Sequence, residues 1–233
     1  MENGMYEITG SINSLMMMVT LLGLWTQLRI IWQRKQDATI VHSTDLLSTH
    51  QFLGAFLAYY TFFIHGYAIT PFNHFIVWPR LLAGLLVTVI LFEIYQDRKT
   101  RSTKMTLVFC LCSLIAGIIG LLINRQMGGI SQQMTTMMIV AVTVFLAQGY
   151  YHQIRLIIKH GETGAVALRL NQFIGLKDIS TIAFALTMDL NNSWPLILLA
   201  TVSGITKLVI MYLFRWVKVS EAAKNRSQAR ART

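Results

Sequence analysis

The chain has 233 residues, of which 54% are hydrophobic and only 13% charged, and its mean hydropathy is +0.52. A soluble domain carries about 25% charged residues, so the composition argues against one and for a membrane protein. The net charge of +10 does not point to nucleic acid, because Lys and Arg gather in short gaps between apolar runs and in the tail from Lys218. That is how membrane proteins mark their cytoplasmic side.

Seven apolar runs occur in chain order, at about 8–32, 46–67, 72–95, 105–123, 133–158, 165–190 and 195–217. Each is long enough for the roughly 20 residues that a helix needs to cross a bilayer. The first residues lack a basic n-region, with Glu2 and Glu7 before the first run, so no cleavable signal peptide is expected. Cys110 and Cys112 share one run. Two residues apart on a helix they diverge, and neither a disulfide nor a metal site is expected.

Basic residues alternate between the gaps. Arg34 and Lys35 follow the first run; Arg98, Lys99, Arg101 and Lys104 follow the third. Arg155, Lys159 and Arg169 flank the turn after the fifth, and Lys218, Lys224, Arg226, Arg230 and Arg232 lie in the tail. The other connections hold little positive charge, Arg125 alone after the fourth run. The bias predicts the N-terminus outside and the C-terminus in the cytoplasm. A multi-pass protein of a bacterial inner membrane is expected.

The turn His160-Gly161-Glu162-Thr163-Gly164 stops a helix with two glycines and three polar residues. A weaker copy of its surroundings lies 126 residues earlier, where Gln27 matches Gln153 and Arg29 matches Arg155. The copies fall on runs one to three and five to seven. Two three-helix units with the same starting orientation need one inverting helix between them. The expected fold is therefore an all-α membrane protein of seven transmembrane helices. Two parallel three-helix-bundle repeats are joined by an inversion linker helix (3+1+3). Residues 1–100 form the first repeat, 101–130 the linker, 131–218 the second repeat and 219–233 a basic cytoplasmic tail.

Thr26-Gln27 with the segment 34–40, and His152-Gln153 with the segment 159–164, resemble the PQ-loop superfamily. That superfamily includes the SWEET sugar transporters, cystinosin-like transporters and, more distantly, the KDEL receptor. The resemblance implies a 3+1+3 transporter with Gln27 and Gln153 at its inner gate. The proline of the family motif is absent from both copies, where Thr26 and His152 stand. The hinge role that the resemblance assigns to it would pass to Gly23 and Gly149. Family sugar-binding asparagines lie inside the third and seventh helices, whereas Asn73 and Asn192 fall at their outer ends.

Ionisable side chains inside a span are costly and face the bundle interior or a wet cavity. They are Arg80, Lys177, Asp178 and Lys207, the expected substrate-binding group. Asp178 is a candidate proton acceptor, and cystinosin-like members carry a proton-coupling aspartate at a similar depth. The competing possibility is a closed Asp178–Lys207 pair that only locks two helices. Lys177 and Asp178 project about 100° apart on a helix, so one is expected to face the cavity and the other a neighbouring helix. His50 and His65 are further proton-relay candidates. Arg29 and Arg155 are either snorkelling anchors or, with Gln27 and Gln153, the lining of an inner gate. Trp78 and Trp194 suit a membrane belt. No enzyme motif appears, so neither enzyme activity nor a cofactor is expected. Expected partners are the lipid bilayer and a small polar solute (sugar, amino acid or carboxylate), with proton coupling, and a homo-oligomer is allowed. The alternatives are a nicotinamide riboside-type carrier and a KDEL-receptor-like protein that binds without transport.

Overall fold

The computed structural model describes residues 2–68, 74–123, 132–187 and 190–231, and every regular element among them is an α-helix. They are α1 (Glu2–Gln36), α2 (Thr49–Ala68), α3 (His74–Arg98), α4 (Arg101–Ile123), α5 (Gln132–His160), α6 (Leu168–Ala185), α7 (Leu190–Val219) and α8 (Glu221–Ala231). Helices α1, α3, α4, α5 and α7 are long and apolar enough to cross a membrane. This is a multi-pass helical membrane protein. Helices α2 and α6 are outside that group, and α6 holds Arg169, Lys177 and Asp178 within its 18 residues. Large apolar side chains point outward, as on α4, where Val108, Leu111, Ile115, Ile119 and Leu122 form one exposed stripe. Spacing of three or four residues puts them on a single face, which suits lipid rather than water.

Six helices close into a circuit of packed neighbours. Helix α1 packs on α3 and α6, α6 on α7, α7 on α5, α5 on α2, and α2 on α3. Helix α4 lies outside the circuit, against α3 and α2. The core is built from side chains such as Leu24, Leu28, Phe56, Val87, Ile90, Leu146 and Ile210.

One end of the circuit holds the ends of α1, α3, α5 and α7 and the starts of α2, α4 and α6. Three polar devices tie it together. The Glu93 carboxylate of α3 accepts from Trp32 Nε1 at 2.9 Å and from Lys35 Nζ at 3.0 Å, both on α1. Asp97 receives the backbone amides of Ser43 and Thr44. Beside it, Arg98 donates to the carbonyls of Thr44 and Leu47, so α3 holds the long 37–48 connection. The shorter α5–α6 turn is held by α8 instead. There Arg226 donates to the Ile158 carbonyl, and the Ser227 hydroxyl donates to Glu162.

Two basic segments are largely helical. The basic segment 98–104 is not an open loop: only Lys99 and Thr100 separate α3 from α4. Basic residues are good helix formers, and the Thr100 hydroxyl caps α4 by accepting the Thr103 amide. The tail from 219 is largely helical, as α8. The turn at 161–164 is as expected, with Gly161 at φ 69° and Gly164 at φ 53°, conformations that a side chain disfavours.

Helices α3 and α7 each carry an interior proline, Pro79 and Pro195. Each is the sixth residue of its helix and follows a half-exposed tryptophan, Trp78 or Trp194. A proline inside a helix removes one hydrogen bond and favours a bend. Matched Trp-Pro pairs thus stand at the same place in α3 and α7.

Candidate functional site

Gln27 and Gln153 are both buried, and each uses its whole amide on backbone across the circuit. Gln27 Nε2 donates to the Ala165 carbonyl at 2.6 Å, and its Oε1 accepts the Ala167 amide at 2.9 Å. Gln153 Nε2 donates to the Leu46 carbonyl at 2.6 Å, and its Oε1 accepts the Ser48 amide at 2.6 Å. The two arrangements match atom for atom. Helix α1 clamps the entry to α6, and α5 clamps the entry to α2. The clamped segments also meet each other, since the Ala165 amide donates to the Asp45 carbonyl at 3.1 Å. At this end of the bundle the two entry segments are thus each held by a glutamine and joined to each other by one backbone bond.

Gly23 and Gly149 lie one turn before the glutamines, at the helix crossings. A Cβ on Gly149 would stand 2.7 Å from the Gln51 Cα and the His50 carbonyl; one on Gly23 would stand 3.1 Å from the Leu170 Cα. Gly149→Ala is expected to lower stability by about 1–3 kcal/mol through overpacking, and Gly23→Ala by less. Melting temperatures of the two purified variants check the order.

The interior charges come from several helices. Asp178 on α6 and Lys207 on α7 are each 0% exposed. The ion pair forms within α6, with Lys177 Nζ 2.6 Å from Asp178 Oδ1. The flexible stem of Lys177 lets the two head groups meet although their Cβ atoms diverge. The angles do not make a hydrogen bond: neither Asp178 oxygen has a hydrogen-bond partner among the described residues, and neither does Lys207 Nζ. No Asp178–Lys207 ion pair forms among the described residues. Lys207 Nζ stands 3.2 Å from the centre of the Tyr150 ring of α5, a cation–π placement. The Tyr150 hydroxyl shares a hydrogen bond with Ser203 of α7. Asp178 lies within electrostatic reach of Tyr59 on α2, Tyr150 on α5 and Lys207 on α7. Two glycines lie beside these charges, where a Cβ would find room: one on Gly204 would meet Asp178 Cβ at 3.7 Å, and one on Gly175 would meet Lys207 Cβ at 3.9 Å, both ordinary contact distances.

The remaining expected residues are spread out. Arg80 is half-buried, its guanidinium 5.1 Å from the Phe62 ring centre. Arg29 and Arg155 are exposed at the clamp end. His50 is exposed, its ring 5.6 Å from that of His152. The side chains of His65 and Asn192, all of Asn73, Arg125 and the 128–129 loop lie outside the described residues. Sequence reasoning missed Tyr150 and Ser203, which carry no charge to mark them inside an apolar run. It also missed Pro79, which its match to Pro195 marks. No group of three or more metal-ligating side chains occurs among the described residues.

The chain matches no family model, no curated protein and no solved structure.

Proposed function

We propose that this protein is an alternating-access transporter of a small polar solute, built on a 3+1+3 plan with α4 as the inverting linker, and that it couples uptake to protons. The observation that carries this reading is the buried Asp178–Lys207 neighbourhood, hydrogen-bond donors and acceptors left unpaired beneath two matched glutamine clamps. Buried charge whose hydrogen-bonding capacity is unmet is expensive, and in a membrane bundle it marks a substrate or ion pathway. The two clamps support a pseudo-two-fold arrangement in which one end opens as the other closes. Basic residues crowd the clamp end, so that end is assigned to the cytoplasm, and the present conformation is the one closed inside.

Purified protein in liposomes tests transport: a solute gradient or a pH gradient should drive accumulation of one labelled solute from a set of sugars, amino acids, nucleosides and carboxylates. Saturable binding without accumulation would favour a receptor instead. The excess of positive charge among Arg80, Lys177 and Lys207 over Asp178 gives that second reading its footing, with a carboxylate as ligand. Topology is tested separately. A cysteine at Thr163 is expected to react with an impermeant thiol reagent only from the cytoplasmic side, and one at Gly129 only from outside. Labelling of the Thr163 position from outside inverts the scheme.

A further inference from the structure

The two clamps match in their glutamines but not in the residues beside them. Thr26 precedes Gln27, whereas His152 precedes Gln153. Two residues beyond the clamped amide of Ala167 stands Arg169; at the same place beyond Ser48 stands His50. Only the α2–α5 clamp therefore carries two imidazoles, and they touch edge to face with centroids 5.6 Å apart. His50 sits on the first turn of α2 and His152 on α5, so the ring contact bridges the same two elements that Gln153 joins. Behind it, His152 faces a cleft of about 320 Å³ that is also lined by His42, Asp45, Arg98 and His160.

We propose that the α2–α5 clamp is an acid-labile latch: protonation of the His50–His152 pair drives the start of α2 off α5 and frees the Gln153 amide, while the α1–α6 clamp stays shut. Imidazole in water gains its charge near pH 6.5. Two imidazolium rings in contact repel, and their surroundings are already positive. Arg155 and Arg98 face His152 from α5 and α3. His160 lines the same cleft from the end of α5. Arg101 and Lys104 begin α4, and Lys224 and Arg226 lie on α8. The opposing carboxylates are already engaged. Asp97 is bonded to Ser43 and Thr44 and pairs with His42 at 3.5 Å, and Asp45 hydrogen-bonds the Leu46 amide. Arg98 spends its guanidinium on the carbonyls of Thr44 and Leu47 and on the Thr49 hydroxyl, so the repulsion works against those bonds, the Gln153 amide and the packing of α2 on α3 and α5. At the other clamp Thr26 and Arg169 stand where the two imidazoles would be, so acid adds no imidazolium pair there.

Hydrogen–deuterium exchange of the full chain in detergent tests this, because each clamp holds one amide: Ser48 donates to Gln153 and Ala167 to Gln27. After correction for the intrinsic effect of pH on exchange, protection at Ser48 should fall at least tenfold between pH 8 and pH 5.5, with a clearly smaller fall at Ala167, which is coupled only through the Ala165–Asp45 bond. In His152→Gln, a change at an exposed position, Ser48 protection should become independent of pH, and Ala167 protection at pH 8 reports that the fold is intact. Equal loss at both amides, no loss at Ser48, or a pH response that survives in both His152→Gln and His50→Gln would overturn the proposal. The readout does not involve transport, so it stands or falls apart from the transporter reading.

Discussion

Replacing Asp178 with Asn is expected to abolish uphill, pH-driven uptake, by at least tenfold, while substrate binding and exchange largely persist. Asp178 is fully buried and neither of its oxygens is hydrogen-bonded among the described residues. Asn keeps the shape and removes the proton site. If the carboxylate carries the coupling proton, the variant still moves solute down its gradient but no longer feels the pH difference. A purely structural role has a different signature. Asp178 is the negative charge that Lys177 touches and that Lys207 senses. Its loss would leave Lys207 as a buried uncompensated ammonium, at a cost of about 3–5 kcal/mol. Lys177 is partly exposed and can turn to water, so removing Lys207 is the informative second change. Lys207→Met in the Asp178→Asn background would then restore the melting temperature. Recovery of both stability and pH-driven uptake in the double variant would show that Asp178 is structural and that the coupling mechanism is wrong.

The helix pattern and the doubled motif were legible because both are written in side chains. Apolar runs mark helices, and Gln27 and Gln153 stand at equal depth in theirs. What the glutamines do was not legible. Their partners are the carbonyls of Leu46 and Ala165 and the amides of Ser48 and Ala167. Backbone groups exist at every residue, so no sequence signal distinguishes these four. The first connection is also longer than the second, which shifts the register after each glutamine and hides the match of residues 46–48 to 165–167. Lys177, Asp178 and Lys207 were visible as misplaced charges, but their pairing was not. Their depth suits a closed bridge between α6 and α7, whereas the ion pair lies within α6. A four-carbon lysine stem reaches past the helical phase on which the sequence argument rested. The fate of the basic tail depends on Arg226 and Ser227 finding Ile158 and Glu162, contacts between segments far apart in the chain.

The clamps and the interior charges belong to the same helices. The Gln153 helix also presents Tyr150 to Lys207, one turn away on α5. The helix clamped by Gln27 carries Asp178. Movement of either clamped entry segment therefore changes the setting of one member of the buried charge group. Under the transport reading proposed above, that would be the physical route by which a proton or solute at the interior biases the clamped end.

The clamps themselves carry the second large effect. Gln27→Met and Gln153→Met each remove two hydrogen bonds and leave one backbone carbonyl and one amide buried beside a thioether of similar size. An unsatisfied buried group costs about 1–3 kcal/mol, so each variant, which leaves two, should lose about 2–6 kcal/mol. In a chain of this size, each kcal/mol lowers the melting temperature by about 2–4 °C. The double variant decides how the closure works. Side chains more than about 7–10 Å apart, with no shared partner, contribute additively within about 0.5 kcal/mol. The clamped segments share a bond, Ala165 amide to Asp45 carbonyl, so freeing one should loosen the other. The double variant is then expected to lose less than the sum of the singles, by about 0.5–3 kcal/mol. The melting temperatures of wild type, both singles and the double measure this coupling. Strict additivity would mean that the two ends of chain are held independently, and that the entry segments are not one gate.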